Sequence, residues 1–176
     1  EGKLVFPRSL ISAQRPSGTK VTEVVVGKVV ESWEFFSNFS PVLTKVTFLD
    51  DVKNVPKDGF YNCGQLRHIE LPEGIETIGE SAFYDCTALE QIVLPNSLTA
   101  IHDMAFRNCS NLKQISFRSM EESKLAEIMP QAFYMCTSLK KLELPGSLRT
   151  IEESAFDCCT NLVEVRIAEG CTKIGE

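Results

Sequence analysis

The chain has 176 residues, 43% of them hydrophobic, enough to bury a substantial core in one or two ordinary domains. Its formal net charge of -6 and pI of about 5.1, with no run of Lys and Arg, argue against a nucleic-acid partner. No apolar stretch approaches the roughly 20 residues that span a bilayer, and EGKLVFPRSLISAQRPSGTK lacks the apolar core of a signal peptide, so the sequence reads as a mature or trimmed chain.

Residues 1–20, with Pro7, Pro16 and Gly18, are expected to form an N-terminal cap, such as a small strand pair, or a linker. Residues 21–42 read as a degenerate first repeat: Val21, Val24 and Val26 imitate an opening strand, and Phe36 and Phe39 imitate later aromatic and cysteine columns. From Leu43 the pattern becomes regular. Leu43, Leu66, Leu89 and Leu112 stand 23 residues apart, Leu139 follows after 27, and Leu162 after another 23. The repeats are therefore 43–65, 66–88, 89–111, 112–138, 139–161 and the partial 162–176. A fixed period in the range of roughly 20 to 50 residues marks units that bury their apolar faces only by stacking, so residues 21–176 read as one solenoid.

Within a repeat the opening leucine is followed by apolar residues at plus three and plus five, as in Leu66, Ile69 and Leu71, the last two alternating as a strand does. Pro72, Pro95 and Pro145 come next and end the strand, because proline cannot donate a ladder hydrogen bond. A second apolar pair, such as Ile75 with Ile78, turns the chain back inward. A short turn or helix follows, illustrated by Glu80, Ser81, Ala82 and Phe83, in which alanine permits close approach and phenylalanine fills the space between coils. Cys63, Cys86, Cys109, Cys136 and Cys159 each lie three residues after a repeat phenylalanine. Stacked equivalent positions have parallel side chains, which suits a column of buried thiols better than disulfides. Cys171 falls in a core column and Cys158 faces solvent.

LPEGIETIGESAFYDCTALEQIVLPNSLTAI and its echo LELPGSLRTIEESAFDCCTNL resemble the BspA-like, or Treponema pallidum type, leucine-rich repeat family. The resemblance covers about residues 43–176 and is faint over 21–42. It implies an α/β architecture: a right-handed leucine-rich-repeat solenoid, with a short parallel β-sheet on one face and short strands and helical turns on the other. It also implies a secreted or cell-surface bacterial protein with a non-catalytic, adhesin-like binding role, host extracellular matrix among the candidate partners. Departures are Leu49, Arg118 and Ala168 in the proline column and four extra residues within Ser119 to Glu127, a stretch of helix-forming residues expected to bulge from one rim.

No catalytic constellation emerges. His68 and His102 occupy different columns and cannot share a metal or a nucleophile, and no glycine-rich phosphate loop is present. No cofactor is expected. The residues between inward leucines, at plus one, plus two and plus four, carry a net +2 where the rest of the chain carries -8. An acidic protein or anionic glycan would be drawn to such a face, with Arg67, His68, Gln91, Val93, Lys113, Gln114, Lys140, Lys141 and Arg166 as candidate contacts. An ordinary solvated sheet is the alternative. Tyr61, Tyr84 and Tyr134 form a second row, either exposed for contact or packed along the convex side. The unfinished last coil, with Ile167 and Ile174, leaves an apolar edge for which two explanations are expected: the natural chain continues, or another chain covers the edge in end-to-end self-association. A structural spacer in a larger surface protein and an intracellular scaffold are the competing roles.

Overall fold

The computed structural model of the protein describes residues 2–5, 21–26, 42–49 and 52–176. From residue 43 onward each coil contributes one strand to a front row and a shorter one to a back row, and two earlier strands extend the front row. The front strands are β1 (Gly2–Val5), β2 (Val21–Val26), β3 (Lys45–Phe48), β5 (His68–Glu70), β7 (Gln91–Leu94), β9 (Gln114–Phe117), β11 (Lys141–Leu144) and β13 (Glu164–Ile167). The back strands are β4 (Asn54–Val55), β6 (Thr77–Ile78), β8 (Ala100–Ile101), β10 (Glu127–Ile128), β12 (Thr150–Ile151) and β14 (Lys173–Ile174). The described pairings are all parallel, and the back strands form one unbroken six-stranded sheet.

Register follows the repeat. His68 pairs with Gln91 and Gln91 with Gln114, while across the longer repeat Glu127 pairs with Ala100. Val24 pairs with Val46, so the degenerate repeat joins the sheet at β2; its Phe36 and Phe39 lie outside the described residues. β1 lies parallel to β2 and adds a strand beside it. On the front strands the plus-three and plus-five residues point inward: Ile69, Leu71, Ile92, Leu94, Leu142 and Leu144 are buried. Leu125, just beyond the four extra residues, restores the register of the apolar column after the insertion and is fully buried.

Two columns fill the space between front and back. Phe60, Phe83, Phe106, Phe133 and Phe156 stack at centroid distances of 5.2, 5.0, 5.0 and 5.3 Å, close to the spacing of paired strands. Beside them the thiols of Cys86, Cys109, Cys136 and Cys159 each donate to the carbonyl of the phenylalanine one coil before, at 3.2 to 3.3 Å. All seven cysteines are free, with Cys158 exposed and Cys171 half-buried.

The expected helical turns, and with them the α/β class, are corrected: no α-helix occurs among the described residues, and the segment after each back strand is a run of turns. The reason lies in the destination of its N–H groups. Those of Ala82, Tyr84 and Cys86 donate three residues back, to Gly79, Ser81 and Phe83. Those of Ser81, Phe83 and Asp85 point along the stack and donate to Asp103, Ala105 and Arg107 of the next coil. A helix would direct every donor four residues back within its own coil and leave the stack unbonded. The alternation is made by two left-handed residues per coil, such as Ser81 at φ 54° and Asp85 at φ 58°. Asn, Asp and Ser supply most of these positions, being among the residues that tolerate or locally stabilise turn geometry. The insertion likewise forms a turn at Met120–Glu122 rather than a helix.

Candidate interaction face

The front strands carry the predicted contact residues outward. His68 lies on β5, Gln91 and Val93 on β7, Gln114 on β9, Lys141 on β11 and Arg166 on β13, while Arg67, Lys113 and Lys140 stand just before or at the edge of their strands. All are exposed, Val93 at 37% despite its apolar side chain. The parallel register lines His68, Gln91 and Gln114 up in one row across three coils.

The charges on this face are organised as ladders between coils. Glu90 lies 3.0 Å from Lys113 and 3.8 Å from Arg67. The hydrogen bond and charge of Lys113, helped by Arg67, hold the Glu90 carboxyl below its ordinary value. Glu164 lies 2.7 Å from Lys141 and 2.8 Å from Arg166, and these two neighbours lower its pKa in the same way. Arg166 also reaches Glu143 at 3.5 Å. Among the described residues Lys140 makes no ion pair. Exposed pairs are worth about 0–1 kcal/mol, so a carboxylate arriving from solvent exchanges with them at small cost.

A further feature of the face is absent from the sequence reading. The front row is three hydrogen-bonded sheets rather than one: β1–β2–β3, β5–β7–β9 and β11–β13. The strands stay adjacent at both seams, yet no backbone hydrogen bond joins β3 to β5 or β9 to β11 among the described residues. In both cases the strand before the seam ends in phenylalanine, Phe48 or Phe117, where other coils place Leu71, Leu94, Leu144 or Ile167. Each ring is only partly buried and packs on the core. A ring is bulkier than the leucine it replaces, and in a close-packed interior that excess holds the following strand off. The legible signal is thus a substitution within the leucine column.

Both seams open into depressions. The one over β3 and β5 encloses about 1000 Å³ and is lined by Phe48, His68, Glu70, Glu73 and Arg118 among others. The other, over β9 and β11, encloses about 510 Å³, with Phe117 and Met120 beside Lys113, Lys140, Lys141 and Glu143. Arg118, the departure from the proline column, bonds to the Leu71 carbonyl at 3.0 Å, two repeats back, and lies 3.6 Å from Glu70 and 3.3 Å from Glu73. It clasps the rim of the first depression.

The tyrosine row sits on the turn side, with Tyr61 exposed and Tyr84 and Tyr134 half-buried. Tyr61 and Tyr84 stack at 4.9 Å, and the Arg107 guanidinium lies 5.9 Å from the Tyr84 ring and 4.4 Å from that of Tyr134. Ring faces are spent on one another as stacking and cation–π contacts. Among the described residues no helix is long and apolar enough to cross a membrane.

A family model described as BspA type leucine rich repeat region matches the chain in six copies, over residues 32–124 and 120–176. The crystal structure of a leucine-rich repeat protein from T. pallidum is similar, with 28% identity, a TM-score of 0.72, and coverage of 98% of this chain and 72% of that one. A leucine-rich repeat protein from Bacteroides ovatus is 20% identical, with a TM-score of 0.60 over 98% of this chain and 44% of its own. The pneumococcal vaccine antigen PcpA is 21% identical, with a TM-score of 0.50 over 89% of this chain and 47% of its own. At such identities the last two are evidence of fold alone. No curated protein matches the sequence.

Proposed function

We propose that this chain, which belongs to the BspA-type leucine-rich repeat family, acts as a non-catalytic protein-interaction module of a secreted or cell-surface bacterial protein. The partner docks on the front face. The observation that carries this reading is the charge contrast between that face, at +2, and the rest of the chain, at -8, displayed on outward side chains that the stacking core does not use. Adhesion to an acidic host matrix protein is the role this favours, and the family resemblance supports the location. Surface plasmon resonance against purified matrix proteins tests it. Binding should fall at least about tenfold when Arg67 and Lys140 are both changed to Glu, and persist when Lys57, beyond the end of β4, is changed instead. Equal binding by both variants removes the front face from the interaction.

A spacer role has one supporting observation, the unbroken back sheet from β4 to β14, which gives a stiff rod. It requires that no matrix protein or glycosaminoglycan bind the front face at all.

A further inference from the structure

The two seams differ in charge. In the depression over β3 and β5, Lys45 and Arg118 are matched by Glu70 and Glu73, and Arg118 is within 4 Å of both acids. The depression over β9 and β11 places Lys113, Lys140 and Lys141 against the single acid Glu143, a local net charge of +2. Glu90 and Glu164 hold Lys113 and Lys141 from outside the depression, through exposed pairs that an incoming carboxylate can displace. Lys140 has no ion pair to give up among the described residues.

Apolar surface lies at the other end of the same seam: the lysines cluster at the N-terminal ends of β9 and β11, and Phe117 and Met120 stand at and just beyond the C-terminal end of β9. Phe117 is only partly buried, and Met120, on the turn that begins the insertion, is 36% exposed. An unbranched thioether adapts to a range of apolar shapes and makes favourable contacts with aromatic rings. The insertion therefore places a flexible apolar side chain beside a seam already opened by a ring. A basic cluster at one end of a groove and an apolar anchor site at the other is an arrangement by which surfaces select an extended peptide with one large side chain.

We propose that the β9–β11 seam is a docking notch for an extended acidic peptide segment of a partner protein. Phe117 and Met120 receive one large apolar side chain, and Lys113, Lys140 and Lys141, towards the other end of the seam, receive the carboxylates that lie along the chain from it. This rests on reading the front face as the interaction surface and narrows it to one notch and one partner chemistry. The apolar end favours a peptide over an anionic glycan, whose sulfates would use the lysines and leave Phe117 and Met120 idle.

The test is fluorescence polarisation with a labelled, end-capped peptide of three glutamates, a phenylalanine and three more glutamates. Controls are the same peptide with alanine at its centre and a sulfated hexasaccharide of matched charge. The phenylalanine peptide should bind about tenfold more tightly than the alanine one, the difference expected for burying one large apolar side chain. Changing Lys113 and Lys140 together to Glu should weaken it by at least about tenfold. Met120→Ser, an exposed change that leaves the core intact, should weaken the phenylalanine peptide several-fold, by about threefold or more, and leave the alanine peptide unaffected. Equal affinity of the two peptides, or insensitivity to Met120→Ser, overturns the notch, as does tighter binding of the hexasaccharide. Should the peptide fail while matrix-protein binding still depends on Arg67 and Lys140, the notch falls and the broader interaction face stands; loss of both removes both.

Discussion

Replacing Phe106 by alanine probes the stack where it depends most on its neighbours. The ring is fully buried and lies between Phe83 and Phe133, 5.0 Å from each and nearly parallel to both. Removing a buried phenylalanine costs about 3–5 kcal/mol in lost transfer energy and residual cavity, of which the two ring contacts account for about 1–3 kcal/mol. Phe156 supplies the internal comparison, since it is partly exposed and stacks on Phe133 alone, at 5.3 Å. Its replacement should cost about 2–3 kcal/mol, because less area and one ring contact fewer are lost. Urea unfolding followed by far-ultraviolet circular dichroism reads the difference. At a slope near 2 kcal/mol per molar urea, 4 kcal/mol lowers the midpoint by about 2 M. Apart from Arg118, which reaches back two repeats, the contacts between coils run mainly to the adjacent coil, so the central gap should also broaden the transition as the two halves uncouple. Equal midpoint shifts for the two variants, or an unmoved midpoint for Phe106→Ala, would refute the stacked core.

Thiol reactivity and alkaline stability follow from the cysteine column. In native protein Cys158 should react promptly with a disulfide reagent and Cys63, Cys86, Cys109, Cys136 and Cys159 only on unfolding, as timed absorbance will report. Burial pushes the Cys159 thiol up to about 11 and raises Cys86, Cys109 and Cys136 as well. Unfolded thiols ionise near pH 8.5, so below that pH both states hold the proton and the contribution to stability is complete. Above it the unfolded chain binds fewer protons, and stability falls by about 1.4 kcal/mol per pH unit for each such thiol until the folded one ionises. Urea midpoints at pH 8, 9 and 10 should decline steeply, and a flat profile contradicts the burial. At Gly79 an added Cβ would fall 2.6 Å from Lys57 N and 2.7 Å from the Pro56 carbonyl carbon, whereas at Gly64 the nearest contact is Thr87 Oγ1 at 3.5 Å. Gly79→Ala should therefore cost about 1–3 kcal/mol and Gly64→Ala be neutral or stabilising by up to about 1 kcal/mol; thermal melts of the pair decide it.

Most of the scaffold was legible because a stacked coil writes its demands into fixed columns. Leu66, Ile69, Leu71, Ile75 and Ile78 must point inward in every turn, so their spacing reveals both strands of the coil. The turn after Ile78 was less legible. Ser81-Ala82-Phe83-Tyr84 is compatible with a helical turn on local propensity, and only the bonds from Ser81 and Phe83 to the next coil decide against one. That is a tertiary override of local preference, invisible without the neighbour. The outward residues of the front strands were legible as a row, but not the seams that divide it. Phe48 and Phe117 satisfy the apolar column as well as leucine does, and the consequence of their extra volume appears only when the next strand is set beside them.

The same two columns explain why a face can vary without disturbing the stack. Ring stacking and thiol-to-carbonyl bonds tie each coil to the one before it through buried atoms alone, as Cys109 does to Phe83. Of the outward residues, Lys113 contributes an exposed pair worth about 0–1 kcal/mol, and among the described residues Lys140 makes none. Changing them alters what the surface attracts and scarcely what the coil weighs in the fold. Phe117 stands at the boundary between these roles, packed on the core below and open to the seam above. A leucine there should restore the β9–β11 ladder, raise the urea midpoint and close the notch to a large side chain. Stability and binding would then move in opposite directions, an outcome that a purely structural phenylalanine could not produce.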